Sequence, residues 1–147
     1  MTSDPLAFRV FNEIGIIDQL ATHVFTQVLP GRVTPAQFGI LNHFVRLGHP
    51  SCTPAQLASA FQVSRPTITS TLSRLAESGL VAIEPDPDDG RGKRVSITEA
   101  GRAMRENCID RLAKPLEEVG ALVPQELFEQ LLPLLGSLRE QLDRMRD

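Results

Sequence analysis

"TPAQLASAFQVSRPTITSTLSRLAESGLV", residues 53–81, packs two short helices and a turn into one stretch. Thr53 stands as an N-cap, Pro54 takes the first helical position, and Gln56 is placed to complete a capping box. The helix it starts, "AQLASAF", is short and gives way to a turn at Gln62–Val63. Ser64 then caps a second helix that ends near Gly79. At about 100° per residue, Ile68, Leu72, Leu75 and Gly79 fall in one narrow sector. Pro66, Thr67, Thr69, Ser70, Ser73, Arg74 and Glu77 share the remaining circumference. That outer face is rich in short hydroxyls and poor in charge, unlike an ordinary solvated helix, which favours Glu and Lys. Short hydroxyls permit close approach to phosphates and base edges, and Arg65 and Arg74 add cationic donors. The alternative is a surface helix that is simply Ser/Thr-rich.

Beyond residue 81 the hydrophobic period changes to two. Val81 and Ile83 alternate with Ala82 and Glu84; Val95 and Ile97 alternate with Arg94 and Ser96. This predicts two half-buried antiparallel strands joined by a loop from Pro85 to Gly92. The loop and second strand, "DPDDGRGKRVSIT" at 86–98, set Asp86, Asp88 and Asp89 ahead of Arg91, Lys93 and Arg94. A calcium loop would need glycine at its sixth position and glutamate at its twelfth. Arg91 and Ile97 stand there instead, so the pattern fails. A hairpin tip fits better: Asp86–Pro87 opens the turn, and Gly90 and Gly92 are expected to supply backbone freedom around Arg91.

The flanks read as helix. Residues 5–29 carry Val10, Ile14, Ile17, Ala21, Val24 and Val28 in alternating steps of four and three, with Phe11, Leu20 and Phe25 on other sides. A second "TPAQ" at 34–37 starts a helix through Phe38, Leu41 and Val45, separated from the next by Gly48 and Pro50. Thr98 caps a further helix. Leu127, Leu131, Leu134, Leu138, Leu142 and Met145 recur at helical spacing near the end. Pro115 and Pro133 interrupt these helices and are expected to kink or break them, each costing about 3 kcal/mol if interior.

Composition bounds the rest. At 147 residues, 41% hydrophobic and 22% charged, the chain is expected to be one soluble globular domain. It contains no apolar run long enough to span a membrane and no recognisable signal peptide, and its two cysteines make a reducing cytoplasm the default. A net charge of −3 argues against indiscriminate coating of nucleic acid but leaves room for a local basic surface. Cys52 with His49 gives two ligands where a structural zinc site uses four. His23, His43 and His49 have no partner in a nucleophile motif, and no glycine-rich phosphate loop is present. No metal, no cofactor and no enzymatic activity are therefore expected.

A short helix, a turn, a Ser-capped helix with a polar face and a hairpin together make a winged helix-turn-helix. In this combination the sequence resembles the MarR family of bacterial transcriptional regulators. "VTPAQFGILNHF" matches the helix before the reading unit, residues 53–81 match the unit, and "DPDDGRGKRVSITEAG" matches the wing, with family-type spacing from Leu57 to Gly101. The resemblance implies a mainly α fold with a small two- to three-stranded β wing. It also implies a single domain over 1–147, with the winged motif at 30–100 and dimerisation helices at 5–29 and 98–147. The apolar ends would then pair with a second copy; an intramolecular helical core is the alternative.

The resemblance also assigns roles. Arg91 would enter the minor groove, drawn by the negative potential of narrow A·T-rich DNA, with Asp89 orienting it and Lys93 and Arg94 on phosphates. Many members carry a second arginine where this chain has Gly90. Ser64, Arg65, Pro66, Thr67, Ser70 and Arg74 are the candidates for major-groove and phosphate contacts, and Thr53 for a phosphate at a helix N-terminus. A small, often aromatic, anionic effector would fall to His23, His43 and Arg46. Redox-sensing members use a cysteine near the start of the first helix, which is lacking here, and Cys108 reads as a core residue. The expected protein is a cytoplasmic homodimeric repressor that sets two recognition helices about 34 Å apart on a pseudo-palindromic operator. The rival is a winged-helix module that binds protein and not DNA, permitted because residues 64–105 hold seven Lys/Arg against six Asp/Glu.

Overall fold

The computed structural model describes residues 4–146. They form α1 (Leu6–Val28), α2 (Pro35–Leu47), α3 (Pro54–Phe61), α4 (Arg65–Glu77), β1 (Val81–Pro85), β2 (Lys93–Ile97), α5 (Glu99–Leu122), α6 (Gln125–Asp143) and a terminal 3₁₀ turn, Arg144–Arg146. Both capping boxes close. Thr34 and Thr53 each accept from the backbone N–H of the glutamine three residues on, at 3.2 Å. The backbone N–H groups of Thr34 and Thr53 in turn donate to the side-chain oxygens of Gln37 and Gln56, at 3.2 and 2.8 Å. Each box satisfies two groups that a helix start otherwise leaves open, worth about 1 kcal/mol.

The apolar sector of α4 is buried as its spacing demands. Ile68, Leu72 and Leu75 pack into one cluster with Ile40, Leu41 and Phe44 of α2, Leu57 and Ala58 of α3, and Val81 and Val95 of the strands. Burying each of the three α4 side chains contributes roughly 2 kcal/mol. The strands pair antiparallel in the register Val81↔Ile97 to Pro85↔Lys93. A third member is a single bridge, Cys52 to Val95, with bonds of 2.9 and 2.7 Å. The winged motif thus owns a complete core, whereas α1 and α6 bury no residue. Leu132 is 74% exposed and Leu134 66%. An intramolecular core for the C-terminal leucines is therefore not what the described residues form.

The prolines do not break their helices: Pro115 lies within α5 and Pro133 within α6. The carbonyls they orphan belong to Arg111 and Glu129, both exposed residues. The break comes at Val123–Pro124, where Val123 is extended (φ −113°, ψ 124°), as a residue before proline prefers. None of the described helices is long and apolar enough to cross a membrane.

One junction locks α4, the sheet and α5 together. Gly79 turns the chain at φ 72°, a left-handed conformation that favours glycine. Thr98 then donates its hydroxyl to the Gly79 carbonyl at 2.7 Å and its N–H to Leu80 O at 3.2 Å. The same hydroxyl accepts from Gly101 N–H at 3.0 Å, starting α5. A Cβ on Gly101 would lie 2.0 Å from the Leu80 carbonyl oxygen and 2.8 Å from the Ile97 side chain. Gly101→Ala is expected to destabilise the chain by about 2–3 kcal/mol and to lower Tm by roughly 6–10 °C, measured by thermal unfolding.

Candidate nucleic-acid interface

The turn that aims α4 uses no glycine. Gln62 itself adopts φ 52°, ψ 45°, and its Nε2 donates to Ser59 O at 2.6 Å. Val63 N–H closes back on Ala58 O at 3.0 Å. Ser64 Oγ then accepts from Thr67 N–H at 3.3 Å and shares a 2.8 Å hydroxyl bond with Thr67. From this start α4 presents two exposed rows at four-residue spacing: Arg65, Thr69 and Ser73 in one, Pro66, Ser70 and Arg74 in the other. Thr71 is set apart, half-buried and bonded back to Thr67 O at 3.1 Å.

The wing is held by its aspartates. Asp86 Oδ1 accepts from Asp88 N–H and Asp89 Oδ1 from Arg91 N–H, each at 3.0 Å. These are side-chain-made turns. Asp86 N–H and Gly92 O close the loop at 2.9 Å, as do Gly92 N–H and Asp89 O. The expected freedom at Gly90 and Gly92 is not used, since neither has a positive φ; the carboxylates do that work. Asp89 braces the backbone of Arg91 and does not bond its guanidinium. A side chain at Gly90 would meet open space.

Arg94 departs from its expected phosphate contact. Its Nε donates to Ser51 Oγ at 2.8 Å and its Nη2 to Ser51 O at 3.2 Å, with Asp86 at 3.9 Å. It ties the root of the wing to the loop before α3. By contrast, the side chains of Arg65, Arg74, Arg91 and Lys93 make no ion pair or hydrogen bond among the described residues.

Wing, α4 and the start of α3 enclose a groove of about 500 Å³. Thr53, Arg65, Thr69, Ser73, Arg91 and Lys93 line it, with Asp86 and Asp89 on the wing side. Of the expected contacts, Thr53, Arg65, Asp89, Arg91 and Lys93 meet here. Pro66, Thr67, Ser70 and Arg74 are exposed on α4 outside the groove, and Ser64 lies at its cap. Thr69 and Ser73 belong to the site although they were not among the expected contacts. Their spacing from Arg65, four and eight residues on, was the available signal. Thr53 Oγ1 accepts the capping bond from Gln56, so its hydrogen remains free to donate outward.

The expected effector residues do not converge. His43 lines a separate cavity of about 520 Å³ with His49, Ser51, Cys52, Gln56 and Arg94. Arg46 is exposed and outside that lining, and His23 is bonded to Gln27 on α1 at 2.9 Å. Burial lowers the His43 pKa below its ordinary value, with the charges of Arg46, His49 and Arg146 acting the same way. Burial pushes the Cys52 thiol up to about 11, against the pull of Arg94, and also raises that of Cys108. Both shifts disfavour the thiolate, the reactive form of cysteine. No group of three or more metal-ligating side chains occurs among the described residues.

A model of the MarR family matches residues 33–92, which run from the start of α2 to the tip of the wing. The HTH-type transcriptional regulator PecS of Dickeya dadantii is 25% identical over 128 residues, covering 86% of this chain and 75% of PecS. A crystal structure of a cysteine-to-serine mutant of E. coli MarR complexed with operator DNA is 26% identical, with a TM-score of 0.71 over 88% of this chain and 93% of that one. Another MarR crystal structure reaches a TM-score of 0.82 at 25% identity, over 99% of this chain and 97% of the other. In its central winged helix-turn-helix and in its fold over nearly the whole chain, the protein is thus similar to MarR-family transcriptional regulators.

Proposed function

We propose that the chain acts as a cytoplasmic homodimeric repressor, without enzymatic activity, gripping an operator with α4 in the major groove and the wing in the flanking minor groove. The observation that carries this is the groove where Arg65, Arg91 and Lys93, without a side-chain partner among the described residues, meet the hydroxyls of Thr53, Thr69 and Ser73. Such a donor-lined channel suits a phosphate backbone. The row Arg65–Thr69–Ser73 then follows the backbone, while Pro66, Ser70 and Arg74, with Thr67, face base edges. Ser64 sits at the α4 N-terminus and Arg91 reaches into the minor groove from a tip stiffened by Asp89. Arg94 anchors the wing root.

Dimerisation falls to residues 5–29 and 98–147, leaving 30–100 as the reading unit. The stripe Phe128, Leu132 and Leu135 on α6 is exposed, as are Leu6, Phe8 and Leu20 on α1 and Leu122 at the end of α5. So much apolar surface supports burial against a second copy. A small anionic effector suits the His43 cavity: His49, Arg94 and the Gln56 amide offer donors there, and no carboxylate is in the lining. An occupant that draws Arg94 from Ser51 would loosen the wing.

The direct test is a titration of DNA flanking the chain's own gene across salt concentrations, with and without candidate carboxylates. Absence of a specific complex at any salt would favour the protein-interaction module. Arg91→Ala is expected to leave Tm unchanged, weaken binding about tenfold and reduce the log–log salt slope by about one. Gly90→Arg, entering open space, should tighten binding and steepen that slope. Leu132→Glu combined with Leu135→Glu should convert the dimer to monomer in sedimentation velocity while retaining the helical circular-dichroism signal.

A further inference from the structure

Arg146, in the turn after α6, reaches back to the helix that precedes the recognition helix. Its Nη1 donates to Ser59 O at 3.1 Å and to Ala60 O at 2.7 Å, while its Nη2 pairs with Asp143. Ser59 and Ala60 lie in the last turn of α3, where an α-helix leaves its carbonyls without ladder partners. A guanidinium there also faces the negative pole of the helix. Arg146 brings a cation to a helix that has no basic residue in its own last turn and no glycine after it. Its C-cap is Gln62, left-handed at φ 52°, a conformation costing a non-glycine residue about 1 kcal/mol.

The location matters more than the energy. Ser59 O also takes the Gln62 N–H, at 3.2 Å, and the Gln62 side chain. Arg146 therefore grips the same carbonyl around which the chain pivots into α4. Among the described residues, Arg146 supplies the side-chain hydrogen bonds that join the end of α6 to α3, whereas α5 is tied to α2 by Arg105 and Asn42.

We infer that Arg146 is a positioning residue for DNA recognition: it clamps the carbonyl end of α3, holds the Gln62 turn, and fixes the angle at which α4 is presented. Through it, the arm that carries the dimer surface is mechanically joined to the reading head. The inference rests on the proposed DNA-binding role for its functional consequence, but the clamp itself is independent of DNA.

Full-length Arg146→Ala and Arg146→Lys, compared with the unaltered chain, separate the two. Without DNA, hydrogen exchange at the Gln62 and Val63 amides is expected to accelerate about tenfold in Arg146→Ala, with α1 amides unaffected. With operator, binding should weaken three- to tenfold at an unchanged salt slope and an unchanged sedimentation coefficient, and Arg146→Lys should recover part of the loss. Unaltered exchange at Gln62–Val63 overturns the clamp. Unaltered affinity overturns the positioning role. A slope lowered by about one would make Arg146 a phosphate contact instead, and loss of the dimer would make it an assembly contact. If the unaltered chain binds no operator, the DNA role falls and the positioning role with it, while the exchange result still judges the clamp.

Discussion

Everything that gives the molecule its shape converges on the carbonyl of Leu80. The recognition helix ends just before it, the first wing strand begins just after it, and α5 starts on top of it. Thr98 bonds both Leu80 and Gly79, then caps α5. The approach is so close that only hydrogen fits at Gly101. Because three elements share one contact, the wing cannot tilt without moving α4 or α5. The groove between wing and α4 is thus a product of this junction more than of its own lining. Rigid placement of this kind is what a recognition site needs, because misaligned donors contribute little.

The reading head was largely legible because it is built from local rules. Capping boxes span four residues, the α4 sector follows from helical period, and the strand pair follows from alternation. Each depends on neighbours in sequence, and each is realised as spacing requires. What stayed hidden is contact between distant segments. Arg94 looked like one more cation of the wing, but Ser51, forty-three positions earlier, claims it. Nothing local marks that pairing. Gly90 and Gly92 look like hinges, yet the aspartates beside them shape the loop by hydrogen bonding. Gln62 went unnoticed as a left-handed residue because no glycine advertised it. Pro115 and Pro133 look like residues that kink or break a helix, yet α5 and α6 run through them. His43 lines a cavity that neither His23 nor Arg46 lines, a grouping that periodicity does not report.

The division of labour among the wing's charges follows the same logic. Arg94 is inward and structural, Arg91 and Lys93 outward and uncommitted, and Asp86 and Asp89 spent on backbone amides. A cation already bonded within the chain has fewer donors left to offer, so those without a side-chain partner among the described residues are the readiest to bind. Reading function from a basic stretch therefore requires knowing which bases are already occupied.

Two carboxylates standing beside three free cations also shape how such a protein finds its target. A purely basic groove would adhere to any duplex, and in a cell nearly all duplex is the wrong sequence. If the groove takes DNA as proposed, Asp86 and Asp89 would subtract from that indiscriminate attraction while leaving hydrogen-bond donors in place for a matched site. The cost is some affinity; the return is a larger fraction of protein free to exchange between sites. Acids placed to turn a loop thereby set the background against which a scarce operator has to be found.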